Sequence, residues 1–176
     1  VRSGKALYAG ISNYPSDRAA EAIGMLRRMG TPLLIHQPRY SMLDRRAEGG
    51  LTDLLRREKV GMIAFGPLAG GVLTGKYLGG IPKDSRAGHD PRYLKPESIT
   101  EATLEKVRAL SSVAAARGQS LSQLALSWVL RDEVVTSALI GASKPEQVVE
   151  NAGALAAPKL TAEELSQIDR ILSAEG

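Results

Sequence analysis

Two stretches carry residues whose types and spacing could hold an anion. The first is Phe65-Gly66-Pro67-Leu68-Ala69-Gly70-Gly71-Val72-Leu73-Thr74-Gly75-Lys76, an apolar run that ends in an aromatic ring and enters a glycine-rich turn closed by a lysine. Such a turn lets backbone N–H groups approach a phosphate, and the lysine adds positive charge. The same pattern also makes ordinary tight turns. The second is Leu139-Ile140-Gly141-Ala142-Ser143-Lys144-Pro145-Glu146-Gln147, where another apolar run leads into a helix start. Free amides and the helix dipole favour an anion there. Simple capping by Ser143 would satisfy the same geometry.

Composition narrows the classes of partner. The 176 residues suit about one domain. There is no cysteine, which excludes disulfides and thiolate metal sites and suits a cytoplasmic protein. No apolar run approaches the roughly 20 residues that span a bilayer, and Val1–Lys5 lacks a signal-peptide apolar region. The net charge is +4, with basic pairs such as Arg27-Arg28, Arg45-Arg46 and Arg56-Arg57 scattered among acids. Aromatic residues are only 4%, which leaves little for base stacking and argues against nucleic acid. A mild positive field favours a phosphorylated small molecule.

The elements that must position these stretches alternate between strand and helix. Strands are predicted at Ala6–Ile11, Leu33–Gln37, Gly61–Phe65 and Ser137–Ile140. Helices are predicted at Asp17–Met29, Leu51–Glu58, Thr100–Arg117, Ser120–Leu130, Pro145–Leu155 and Thr161–Leu172. Ser120 with Gln123, Ser143 with Glu146, and Thr161 with Glu164 have the spacing of capping boxes. Trp128 is expected as a core anchor. Gly79–Ile99, with Pro82, Pro91 and Pro96, is the longest irregular stretch. Strands apolar on both faces with helices between them imply parallel β/α units. Four such units fit a small doubly wound domain, or half of an eight-stranded barrel of about 250 residues. The polar and glycine signals (Ser12-Asn13, Gln37, Phe65-Gly66, Gly141–Ser143) all follow strand ends, as in a barrel. An open doubly wound sheet would gather them at one switch point.

Ser3–Tyr14 (SGKALYAGISNY), Pro32–Arg45 (PLLIHQPRYSMLDR), Ile63–Arg86 (IAFGPLAGGVLTGKYLGGIPKDSR), Arg117–Asp132 (RGQSLSQLALSWVLRD) and Leu139–Asn151 (LIGASKPEQVVEN) together resemble the aldo-keto reductase family over nearly the whole chain. Within it, they look most like a bacterial branch that acts on a phosphorylated triose and is related to the β subunits of voltage-gated potassium channels. The resemblance implies an α/β fold of (β/α)8 barrel type that binds NADP(H), with strands five to eight and their helices present here. It implies that Ser12, Asn13 and Gln37 hold the nicotinamide carboxamide, an amide suited to groups that both donate and accept. Phe65 matches a ring that stacks on the nicotinamide, where relatives more often have Trp or Tyr. Gly66 stands where many relatives have Ser or Thr, so only its backbone can contribute. Pro67, Leu68, Ala69 and Gly70 match the diphosphate turn, and Lys76 and Arg86 match cations that meet cofactor phosphates. Gly141, Ser143 and Gln147 match the pocket of the 2′-phosphate and adenosine ribose, and Glu150 and Asn151 match adenine contacts one helical turn beyond Gln147.

The family's catalytic Asp, Tyr, Lys and His come from strands two to four, and no Asp here has a Tyr five positions later. His36 fits a strand residue rather than a catalyst, and His89 fits a solvent-exposed loop. The expected function is thus the cofactor half of a carbonyl reductase, with no catalytic residue of its own and little turnover alone. Its expected partners are a small carbonyl substrate and either a second copy or the complementary half-barrel. The competing reading is a non-catalytic nucleotide-binding or partner-binding module.

Overall fold

A computed structural model describes Val1–Asp90, Arg92 and Leu94–Ala174; Pro91, assigned above to the irregular stretch, lies outside these residues. Four parallel strands form one sheet: β1 (Ala9–Ser12), β2 (Leu33–Gln37), β3 (Gly61–Phe65) and β4 (Val135–Leu139). Their spatial order is their chain order. A doubly wound sheet reverses direction at a switch point. Here nothing reverses, so every unit is added on the same side of the last one, as in a barrel wall.

The helices are α1 (Ser16–Arg28), α2 (Leu51–Glu58), α3 (Arg86–His89), α4 (Glu101–Ala116), α5 (Leu121–Val129), α6 (Pro145–Ala152) and α7 (Ala162–Ser173). Ser120 caps α5 and Thr161 caps α7 with reciprocal Gln123 and Glu164 bonds, as their spacing predicts. The predicted box at Ser143 does not form. Lys144 is the N-cap of α6 and makes no side-chain cap bond; the Ser143 amide donates instead to Gln147 Oε1 at 2.8 Å. Gln147 is the third residue of α6, and its side chain reaches back to the amide and hydroxyl of Ser143. The expected helix to Leu155 ends at Ala152 and continues as a 3-10 turn, Gly153–Ala156.

Two strand boundaries also differ from expectation. β1 begins at Ala9 rather than Ala6, because Leu7 and Tyr8 are exposed and have no sheet face to bury them. β4 begins at Val135, paired with Met62, and a register shift then brings Ser137 opposite Ile63. The irregular stretch contains α3 and a 3-10 turn at Pro96–Ser98, so His89 is exposed on a short helix rather than in a loop.

Only one face of the sheet is fully covered, which corrects the expectation of strands buried on both faces. His36, Met62 and Ala64 are buried on the helix side. On the other face a Cβ at Gly10 would lie 2.9 Å from Ile35 Cγ2, and one at Gly61 would lie 2.8 Å from both Ile35 Cδ1 and Thr136 Oγ1. The two glycines let Ile35 lie flat across this face. Ser12, Thr136, Ser137 and Leu139 stay exposed along the outer strands.

Trp128 is fully buried, as expected of an anchor, and its surroundings are charged as well as apolar. The Arg131 guanidinium stacks 3.6 Å from its ring centroid, Arg45 lies 5.2 Å away, and the Tyr40 ring centroid lies at 5.4 Å. Glu48 accepts from Tyr40 (2.7 Å), Arg45 (2.8 Å) and Arg131 (2.9 Å). Arg45 also reaches Asp169 on α7 at 2.6 Å. This cluster ties the segment after β2 to α5 and α7. Among the described residues, no helix is long and apolar enough to cross a membrane.

Candidate functional site

Parallel pairing puts the C-terminal ends of all four strands on one edge. Ser12 stands opposite Gln37, and Phe65 stands opposite Leu139. The chain leaves β1 through Asn13, whose φ of 58° is left-handed, a conformation that asparagine tolerates better than most residues. Three bonds pin this turn to the end of β2. Ser12 Oγ donates to Gln37 O at 2.8 Å, the Asn13 amide donates to the same carbonyl at 3.1 Å, and Arg39 N donates to Asn13 Oδ1 at 3.1 Å. These bonds orient the Asn13 side chain with its oxygen engaged. Among the described residues nothing accepts from its Nδ2, and the Gln37 side-chain amide has no partner. The edge therefore offers Nδ2–H donors, both halves of the Gln37 amide and a Ser12 lone pair. That set is complementary to a ligand amide, which has one carbonyl and one NH2.

Phe65 lies beside this group, half-buried at the tip of β3. The glycine-rich turn begins at the next residue, with Gly66 at φ 65°, Ala69 at 48°, Gly70 at 68° and Gly71 at 99°. Its amides fold back on the turn itself. Ala69 N donates to Gly66 O (2.9 Å), and Gly71 N and Leu73 N both donate to Leu68 O (2.9 and 3.2 Å). The simple idea that these N–H groups cradle an anion therefore fails for Ala69, Gly71 and Leu73. Positive charge at this turn comes from side chains. Lys76 runs back over the turn, and a Cβ at Gly71 would lie 2.4 Å from its Cε and 2.8 Å from its Nζ. Among the described residues Lys76 has no carboxylate partner; its ammonium lies 5.6 Å from the Tyr77 ring centroid. The buried Tyr77 hydroxyl accepts from Ala87 N at 3.4 Å, which ties the residue after Lys76 to the residue after Arg86. The segments that carry the two cations, 10 residues apart, thus meet at one tyrosine.

The geometry at Gly71 makes a direct prediction. Gly71→Ala places a methyl group in the path of Lys76 at a left-handed φ, a strain of about 1–3 kcal/mol. Thermal unfolding should register that loss, and phosphate-ligand titration should show weaker binding because Lys76 is displaced. An unchanged affinity would show that Lys76 does not act from this position.

The second stretch lies beside the first, because β4 pairs with β3. Gly141 and Ser143 are exposed, and Gln147 folds over the Ser143 amide and hydroxyl (2.8 and 3.3 Å). On α6, Glu150 is exposed, and its carbonyl accepts from Gln123 Nε2 at 2.9 Å, while Asn151 is buried. Glu150 and Asn151 therefore present different surfaces. Pro67 and Leu68 line the turn before Lys76 without making side-chain polar contacts. Two open surface depressions lie away from this edge, one lined by Met42, Arg45, Lys106 and Leu172 and the other by Arg56, Lys59, Glu133 and Thr136. No group of three or more His, Cys, Asp or Glu is placed to hold a metal among the described residues.

This arrangement sets an amide-complementary group beside a flat ring on the C-terminal edge of a parallel sheet, with Lys76 over the turn that follows. Comparison with known proteins decides the family. The profile of the Aldo/keto reductase family matches residues 1–173. The chain belongs to the aldo/keto reductase family. It is 52% identical over 174 residues to the L-glyceraldehyde 3-phosphate reductases of Escherichia coli O157:H7 and Escherichia coli strain K12. The match covers 97% of this chain and 50% of each reductase, so the chain spans about half the length of these curated relatives. This aldo/keto reductase chain is therefore an oxidoreductase-family polypeptide with a parallel α/β sheet. His36, expected as a strand residue, is buried in β2, with Nε2 3.1 Å from the Tyr14 carbonyl of the β1 exit turn.

Proposed function

We propose that this chain forms the NADP(H)-binding wall of an aldo/keto reductase barrel that reduces an aldehyde or ketone, with a phosphorylated triose as the substrate class. The observation that carries the reading is the amide-complementary group of Ser12, Asn13 and Gln37 beside the Phe65 ring. A nicotinamide presents a carboxamide and a flat face of matching chemistry. Lys76 and Arg86 supply cations for the phosphates, and Gly141, Ser143, Gln147 and Glu150 supply the adenosine end; Asn151, expected as an adenine contact, is buried and takes no part in this surface. When bound, the cofactor delivers hydride to the carbonyl carbon. This chain's part is to orient the ring and to hold the charged end of the dinucleotide.

Reduction also requires a proton for the carbonyl oxygen. The two tyrosines buried among the described residues are engaged elsewhere, Tyr40 with Glu48 and Tyr77 with Ala87 N. In this reading the acid comes from a complementary set of strands. β1 and β4 each keep one edge unpaired, and four more parallel strands between those edges would close a barrel. The likeness to L-glyceraldehyde 3-phosphate reductases supports the triose. Calorimetric titration of the folded chain with NADPH and NADH tests the proposal. The expected result is saturable NADPH binding at least ~10-fold tighter than NADH, about one charge-assisted contact. Equal affinity for the two, or none for either, would overturn it.

A further inference from the structure

We infer that His36 is a positioning residue whose imidazole holds the β1 exit turn in the geometry that presents Asn13 and Ser12 to a nicotinamide carboxamide; this rests on the nucleotide reading above. His36 has no exposed surface and sits on the helix-covered face of β2, in register with Ile11 on one side and Met62 on the other. An imidazole among aliphatic side chains is costly unless it is hydrogen-bonded. Its one partner is the Tyr14 carbonyl, 3.1 Å from Nε2. A carbonyl only accepts, so Nε2 carries the proton and Nδ1 is the bare nitrogen. Nδ1 is buried and has no partner. Burial disfavours the imidazolium and the Tyr14 bond only partly offsets it, so the ring is held neutral.

The turn needs this bond because it lacks the usual support. Pro15 is the N-cap of α1 and has no side chain able to cap the helix. Gln37 O and Arg39 N fix Ser12 and Asn13 from one side. Among the described residues His36 alone fixes the residue that follows, and Asn13 at φ 58° lies between the two clamps. Without the second clamp the Asn13 backbone is free to leave the left-handed region, and Nδ2 turns with it.

The test separates the two halves of the ligand. Reduced nicotinamide mononucleotide probes the amide group, and adenosine 2′,5′-bisphosphate probes the far end. His36→Leu removes the donor, whereas His36→Gln keeps an N–H near the Nε2 position. The expected result is an affinity for the mononucleotide reduced about 10-fold in His36→Leu and largely restored in His36→Gln, with bisphosphate affinity changed less than about 2-fold in both, a tenfold step being about 1.4 kcal/mol. Nitrogen NMR of the unsubstituted chain should show a neutral ring protonated at Nε2. Parallel loss of both affinities, no loss for the mononucleotide, failure of glutamine to restore it, or a ring protonated at Nδ1 would each overturn the inference. Absence of bisphosphate binding in the unsubstituted chain would instead bring down the nucleotide reading beneath it.

Discussion

Replacing Glu48 by alanine should destabilise this chain more than any change at the sheet edge. Glu48 accepts from Tyr40, Arg45 and Arg131, and both guanidiniums lie against the buried Trp128 ring. Removing the carboxylate leaves two cations without their shared partner and a buried hydroxyl without its acceptor. Breaking a fully buried pair costs about 3–5 kcal/mol. Glu48 keeps 28% of its side chain exposed, so the lower end applies, about 3 kcal/mol. For a chain of this size that is a fall of about 6–12 °C in Tm. The only tryptophan is Trp128, so its fluorescence reports the transition directly.

An acid titration offers an independent check on the same cluster. Burial alone would raise the Glu48 carboxyl, but the bonds from Arg45, Tyr40 and Arg131 outweigh it and hold the group below its ordinary value of 4.5. A depressed folded-state value gives stability that is complete above the ordinary value and lost as pH falls through the folded one. The unsubstituted chain should therefore lose stability below about pH 4.5, and Glu48→Ala should show a shallower loss over that range. Identical pH profiles for the two proteins would show that the cluster carries no net energy.

The second large effect is expected from charge reversal at Lys76 and Arg86. Lys76 has no carboxylate partner among the described residues and lies over the Gly71 backbone, exposed to solvent. A hydrogen bond to a charged group contributes about 1.5–3 kcal/mol, or roughly 10–100-fold in Kd. Lys76→Glu and Arg86→Glu should each weaken NADPH binding by about that factor, measured by fluorescence titration at low salt. Raising the ionic strength should shrink the penalty, because both side chains are solvent-exposed. Unaltered affinity in both variants would remove the phosphate contacts from the proposed site.

Much of this architecture was legible from local signals. β2, β3 and α2 fall where apolar runs meet Gly30, Pro32, Gly49 and Gly61, since such residues stop elements for backbone reasons alone. β1 was displaced because Ala6-Leu7-Tyr8 is as apolar as a strand, and only the sheet determines that it has nothing to pair with. Ser143 was assigned to a capping box on spacing, but the competition between Glu146 and Gln147 is settled by geometry. The Tyr40–Glu48–Arg45–Arg131–Trp128 cluster joins the segment after β2 to α5, and no local pattern marks it. Among the candidate site residues, Ser12, Asn13 and Gln37 do converge, which spacing could not establish. His36 was recognised as a strand residue, but its hold on Tyr14 runs between elements and leaves no periodic trace.

The consecutive strand order also bears on how the chain assembles. β1 meets β2 across about 25 residues, and β2 meets β3 across a similar span. β3 meets β4 only after the long excursion through α4 and α5, a loop roughly three times as long, which adds about 1 kcal/mol of closure entropy. The first three strands therefore close at a lower entropic cost than the last. A nascent polypeptide would accordingly secure the Ser12–Asn13–Gln37 end of its sheet edge before it completes the Gly141–Gln147 end.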